Sequence, residues 1–168
     1  MHKEMPETPR REITAAALIL NRAGDVLLVE PHGSGGMTLP GGKAMQNEPP
    51  HMAVTRKVRD GTGLEVVPVR FLVVDTVPGN IHEDEWESTN FVFYCGIVNF
   101  SAPRVADAGE LKRYQWAEPA RLTDYTGGEQ LRRIRESLGV LDLGSTTQYL
   151  FLGTRVDVRV NGAVRALS

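Results

Sequence analysis

Short apolar blocks alternate with glycine- and proline-bearing breaks along this chain. Residues 13–20 and 25–30 read as two strands, joined by Asn21-Arg22-Ala23-Gly24, where Asn and Gly supply the conformations a hairpin turn needs. His32-Gly33-Ser34-Gly35-Gly36 is too flexible to form an element, and Met37-Thr38-Leu39 leads into the sharp turn Pro40-Gly41-Gly42. From Pro49 to about Asp60 the sequence predicts a helix. Prolines are tolerated in a first turn, whose N–H groups lack intrahelical partners, and Gly61 and Gly63 can end it. Val54 and Val58 then face the core.

Residues 66–77 and 90–98 are rich in Val, Phe and Tyr and predict long strands, separated by a polar loop over 79–88. A shorter strand is expected over 111–116. Thr126-Gly127-Gly128-Glu129 matches a capping box, and Leu131, Ile134 and Leu138 recur behind it at helical spacing, so a second helix should run to about Ser137. Arg132, Arg133 and Arg135 fall on or near its wet side and are expected to form a solvated face. Within residues 148–160, Val156, Val158 and Val160 alternate with Asp157 and Arg159, which is strand patterning suited to an edge strand or a homodimer contact.

The composition, 41% hydrophobic and 24% charged over 168 residues, is that of one globular domain. A formal charge of -2 argues against a nucleic-acid partner. Cys95 is the only cysteine, which excludes an internal disulfide and a thiolate zinc site and fits a reducing cytoplasm. The first residues are charged and proline-rich and lead into no apolar stretch long enough for a signal peptide or membrane span, so no membrane partner is expected and residues 1–11 are read as a flexible arm.

Leu39-Pro40-Gly41-Gly42-Lys43, then Glu48, then Arg56-Lys57-Val58-Arg59-Asp60-Gly61-Thr62-Gly63-Leu64, resembles the signature of the Nudix hydrolases. That signature is a Gly, five residues, a Glu, seven residues, then Arg-Glu-U-x-Glu-Glu-x-Gly-U, with U aliphatic. Glu48 stands six after Gly42 and Arg56 eight after Glu48, so the frame fits without a gap. The resemblance, of the MutT-like kind, implies an α/β Nudix fold with a mixed β-sheet sandwiched between helices. It implies a domain over residues 12–140 and leaves 141–168 as a C-terminal extension with an extra strand. In such proteins the box glutamates gather on one helix face around Mg²⁺, which neutralises phosphate charge and polarises the attacking water in pyrophosphate cleavage.

Here the three family glutamates correspond to Lys57, Asp60 and Gly61. Two unit charges 4 Å apart interact by about 4 kcal/mol at an effective dielectric near 20, so a cation at this position opposes a divalent ion where a carboxylate would hold it. Glu48, Asp60 and Glu110 remain as candidate catalytic groups, with Asp60 and Glu48 the weak candidates for a metal. Glu110 resembles the loop glutamate that some family members use as a general base. Gly41, Gly42, Lys43, Arg56 and Lys57 are the candidate substrate-binding residues. Lys57 either pairs with phosphate oxygens or reaches solvent along the helix flank. Arg56, by its family counterpart, braces loop and helix through carboxylates.

Other residues carry weaker signals. Glu83, Asp84, Glu85 and Glu87 form an acidic loop that either supplies metal ligands or is simply solvated. His32, His51 and His82 lie on separate segments without metal-ligand spacing, and Cys95 sits in an apolar strand where an inert thiol is expected. Three functions stay open. One is a divergent member binding a nucleotide, diphosphate or related small ligand, with Mg²⁺-dependent hydrolysis weak or lost. Another is an active pyrophosphohydrolase using Glu48, Asp60 and Glu110 with Mg²⁺ or Mn²⁺. The last is a regulatory or interaction module acting through the C-terminal extension.

Overall fold

The computed structural model of the chain describes residues 10–80, 82–83, 85–99 and 111–157. Strand β1 (Arg11–Leu20) runs through the middle of the sheet and alternates between two cores, with Ala15, Ala17 and Ile19 on one face and Leu18 on the other. Strand β2 (Val26–Pro31) follows the expected turn but meets β1 only where Leu20 opposes Val26. It then parts from β1 and pairs with a distant strand ending in Trp116 and Ala117. The chain after β2 fills the opening. Thr38 bridges to Val29, Ala17 donates its N–H to the Pro40 carbonyl at 2.8 Å, and the short strand β3 (Gly41–Lys43) pairs antiparallel with Thr14, Ala15 and Ala16. This wedge carries the Gly-Gly turn into the centre of the sheet.

Helix α1 (Pro50–Thr62) packs Ala53, Val54 and Val58 onto the face that holds Ala15, Ala17 and Ile19. Strands β4 (Arg70–Val77), β5 (Glu87–Ile97) and β6 (Leu111–Ala117) follow, and helix α2 (Gly128–Leu143) covers the opposite face, packing Ile134 and Val140 against Leu18, Val73 and Val92. Strands β7 (Gln148–Phe151) and β8 (Thr154–Arg155) complete the order β6-β2-β1-β5-β4-β7-β8, with β3 attached to β1. The result is a mixed sheet between helices, as the resemblance implies: β1–β5 and β4–β7 are parallel, the other pairs antiparallel. Full burial of each Leu, Ile or Val contributes about 1.5–3 kcal/mol, so a one-residue slip of β1, which exchanges its two faces, is strongly disfavoured.

Several local expectations need correction. The strand expected over 66–77 begins only at Arg70, because Pro68 has no N–H for a ladder; Val67 and Val69 are exposed. Gly61 lies inside α1, and it is Gly63, with φ 71°, that ends the helix. The capping box is not formed. Gly127 is the N-cap of α2 with no side-chain cap bond, which leaves Glu129 one position short of reaching back. That helix continues past Ser137 to Leu143, because Val140 extends its buried stripe, and Gly144 stops it. The strand patterning over 148–160 resolves into a hairpin, β7 and β8 about a turn at Leu152 and Gly153, with φ 52° and 74°. Val158 and Val160 lie outside the described residues, as does most of the 1–11 arm; Arg11 already belongs to β1. Helix α2 runs through residue 140 and β7 pairs with β4, so the extension joins the same sheet. Among the described residues no helix is long and apolar enough to cross a membrane.

Candidate functional site

Helix α1 points Val54 and Val58 inward, which places Arg56, Lys57 and Asp60 on its flank, beside the Gly-Gly turn. Gly41 is demanded by contact. At φ 154° a side chain there would bring its Cβ to 2.1 Å from the Ala15 carbonyl oxygen. Gly42 is bare for another reason: a Cβ would lie 2.4 Å from Cε of Lys57, whose half-buried stem crosses the turn. Lys57 therefore lies against Gly42.

The carboxylates nearby are already engaged. Glu48 accepts two hydrogen bonds from Arg56, from Nε and Nη2, both at 2.8 Å, and a third from the Met45 N–H at 3.1 Å. The Arg56 bonds first, then that of Met45, hold the Glu48 carboxyl down at about 2, well below its usual 4.5. Arg56 also donates to the Lys43 carbonyl at 3.1 Å and lies 3.7 Å from Asp60, so it ties the loop to the helix. Gly61 faces Leu111, whose Cδ1 would be 3.0 Å from an added Cβ. Glu110 lies outside the described residues.

Among the described residues this donor set does not fit Mg²⁺. A hard divalent ion needs oxygen ligands free to turn toward it. Here Glu48 is held by Arg56, Asp60 is half-exposed, Gly61 has no side chain and Lys57 brings a positive charge. Among the described residues no group of three or more His, Cys, Asp or Glu is placed to hold a metal ion.

A second part of the site lies on the α2 side of the sheet. Two adjoining cavities of about 430 and 230 Å³ share Thr14, Asn90, Gln130 and Arg133 in their walls. The smaller is bounded by Leu39, Gly41, Gly42 and Val92, so it leads from this region to the Gly-Gly turn. Arg133 is not on the wet face expected for it. Its side chain is only 7% exposed, and its Nε donates to Oδ2 of the fully buried Asp75 at 2.7 Å. Two signals pointed to this pair without identifying it: Asp75 is the one acid in a strand rich in Val, Leu and Phe, and Arg133 adjoins the core residue Ile134.

The remaining candidates are dispersed. Glu85 reaches the wall of the larger cavity, Glu87 pairs with Arg11 at 3.2 Å, and Asp84 is outside the described residues. Lys43 pairs with Glu12 at 2.7 Å. His32, His51 and His82 are exposed on separate segments. Burial alone pushes the Cys95 thiol up to about 12, so it stays protonated and inert.

A family model described as NUDIX domain matches residues 10–138. Among solved structures, the chain is similar to a MutT protein from Methanosarcina mazei Go1, with 24% identity and a TM-score of 0.65, over 83% of this chain and 98% of that one. It is also similar to the NUDIX domain of Shewanella oneidensis NrtR complexed with ADP ribose, at 18% identity and TM-score 0.65, over 83% of this chain and 94% of that one. A UDP-X diphosphatase matches at 21% identity and TM-score 0.63, over 88% of this chain and 70% of its own. These likenesses show the shared fold.

Proposed function

The chain belongs to the NUDIX domain family, and on that premise we propose that it is a divergent member which binds a nucleotide, a nucleoside diphosphate or a related small ligand, with Mg²⁺-dependent pyrophosphohydrolysis weak or lost. The observation that carries this reading is the electrostatics of the α1 flank. Lys57 lies against Gly42 where the family frame puts a metal-binding carboxylate, and Glu48 is consumed by Arg56. A flank so arranged disfavours a bare divalent cation and favours phosphate oxygens.

The division of the cleft supports the same reading. Phosphates belong at the Gly41, Gly42 and Lys57 end, where cationic and backbone groups meet. The wider space that Arg133 walls on the α2 side, about 430 Å³, is large enough for a ring. In this fold the neighbour from Shewanella oneidensis is complexed with ADP ribose, which is a ligand of the proposed class.

The test is a titration of the full chain with Mg²⁺ and Mn²⁺, with and without a panel of nucleoside di- and triphosphates, following both binding and product release. Nucleotide binding that persists in a chelating buffer, with product release near background, is the expected result. Robust metal-dependent turnover would overturn it in favour of a hydrolase working through Glu48, Asp60 and Glu110.

A further inference from the structure

Arg133 has hydrogen-bonding capacity left over. Its Nε is committed to Asp75, but among the described residues its two terminal nitrogens have no hydrogen-bond partner. No buried side-chain nitrogen or oxygen of the described residues lacks a partner, so these nitrogens keep access to the cavities that Arg133 lines. The Arg133 side chain is thus more than nine-tenths buried, is held through Nε, and forms part of the wall of both cavities.

Its position is heavily determined. The second oxygen of Asp75 accepts the Gly153 N–H at 3.0 Å, so both carboxylate oxygens are used. Gly153 in turn sits so close to α2 that an added Cβ would come within 2.7 Å of the Glu129 carbonyl oxygen and 2.8 Å of the Arg132 Cβ. The hairpin that secures the pair lies beyond residues 10–138, outside the segment matched by the family model. The neighbouring amide is also fixed. Asn90 accepts from Thr14 at 2.5 Å and donates to Ser88 at 2.9 Å and to the Asp75 carbonyl at 3.2 Å.

The charge of the walls indicates which end of a ligand belongs here. Glu12, Glu85 and Glu129 face Lys43 and Arg133 around the larger cavity, and Asp75 backs Arg133. A phosphate would meet more carboxylates than cations, so the occupant of this end is neutral. A guanidinium offers only donors. Gln130, which can donate or accept, fits either kind of ring and does not discriminate.

We propose that Arg133, positioned by Asp75 and the C-terminal hairpin, is the specificity-determining residue of this cleft, and that it selects a ring with two adjacent acceptors, the O6/N7 edge of a 6-oxopurine. Two parallel N–H donors match that edge, whereas adenine places an amino donor at the corresponding atom. The inference rests on the ligand-binding reading above and names the ring that this reading leaves open.

The test is calorimetric titration of the full chain with GDP, IDP and ADP in a chelating buffer, for the wild type and for Arg133→Lys. Lysine keeps a cation for Asp75 but removes the planar fork. Wild-type protein should bind GDP and IDP roughly tenfold to a hundredfold more tightly than ADP. IDP isolates the O6/N7 edge because it has no 2-amino group. In Arg133→Lys the preference should fall to within about twofold. Equal binding of IDP and ADP by the wild type, or a preference that survives Arg133→Lys, overturns the inference alone. Binding of none of the three overturns the ligand-binding reading as well. The wild-type ratio decides the matter even if the variant does not fold.

Discussion

Two arginine–carboxylate pairs of this molecule, one at the surface and one buried, do different work. Arg56 and Glu48 meet on the outer flank of α1, their side chains 25% and 15% exposed, and join a loop to a helix. Arg133 and Asp75, 7% and 0% exposed, meet between the sheet and α2 and join a helix, a strand and the C-terminal hairpin. Charge beside solvent is screened, so residues on the α1 flank can change sign with modest effect on folding and a large effect on chemistry. A buried pair has no water to replace a missing partner, so its chemistry and its contribution to stability cannot be separated. The lesson is that a change of charge on the α1 flank need not disturb the buried pair that joins α2 to the sheet.

The sharpest way to break this comparison is to remove one member of the buried pair. Asp75→Ala should destabilise the fold by about 3–5 kcal/mol, because it leaves a guanidinium buried without its carboxylate. Urea unfolding measures this, and a loss below about 1 kcal/mol would mean that the cleft is wet enough to solvate Arg133.

Next in size is the contrast between adjacent glycines. Gly41→Ala drives a Cβ into the Ala15 backbone from a φ that side chains avoid, and should cost about 1–3 kcal/mol. Gly42→Ala meets only the far end of Lys57, which can move aside, so its melting temperature should stay close to wild type while nucleotide affinity falls. Thermal melts of the two variants, paired with nucleotide titration of the second, check both statements.

The smallest effect is the pH dependence of the outer pair. The folded carboxyl of Glu48 titrates at about 2 rather than 4.5, so its contribution is fully present above pH 4.5 and is lost as pH falls toward 2. Melting temperature followed from pH 5 to 2 should drop less in Glu48→Gln than in wild type. Parallel curves would show that Arg56 does not hold this carboxylate in solution.

Much of the fold was legible in the sequence because it is set by local periodicity and fixed spacing. Alternation along β1 assigns its two faces, Val54 and Val58 orient α1, and the interval from Gly42 through Glu48 to Arg56 lines up the family frame. The same spacing sets Lys57, Asp60 and Gly61 against the glutamates expected from the family resemblance, since residues on one helix keep their relative positions wherever the helix packs. Sequence reasoning failed at Pro68 and at the start of α2, where one missing N–H and a one-residue shift of the cap decided the local structure.

Only the tertiary structure decided the other half of the site. Arg133 is 58 residues from Asp75, and Gly153 is 78 from it, so no local pattern predicts that they share one buried carboxylate. Arginine on a helix defaults to water. What overrides that default is the parallel pairing of β7 with β4 and the close seat of Gly153 on α2, a long-range contact that supplies the partner burial requires.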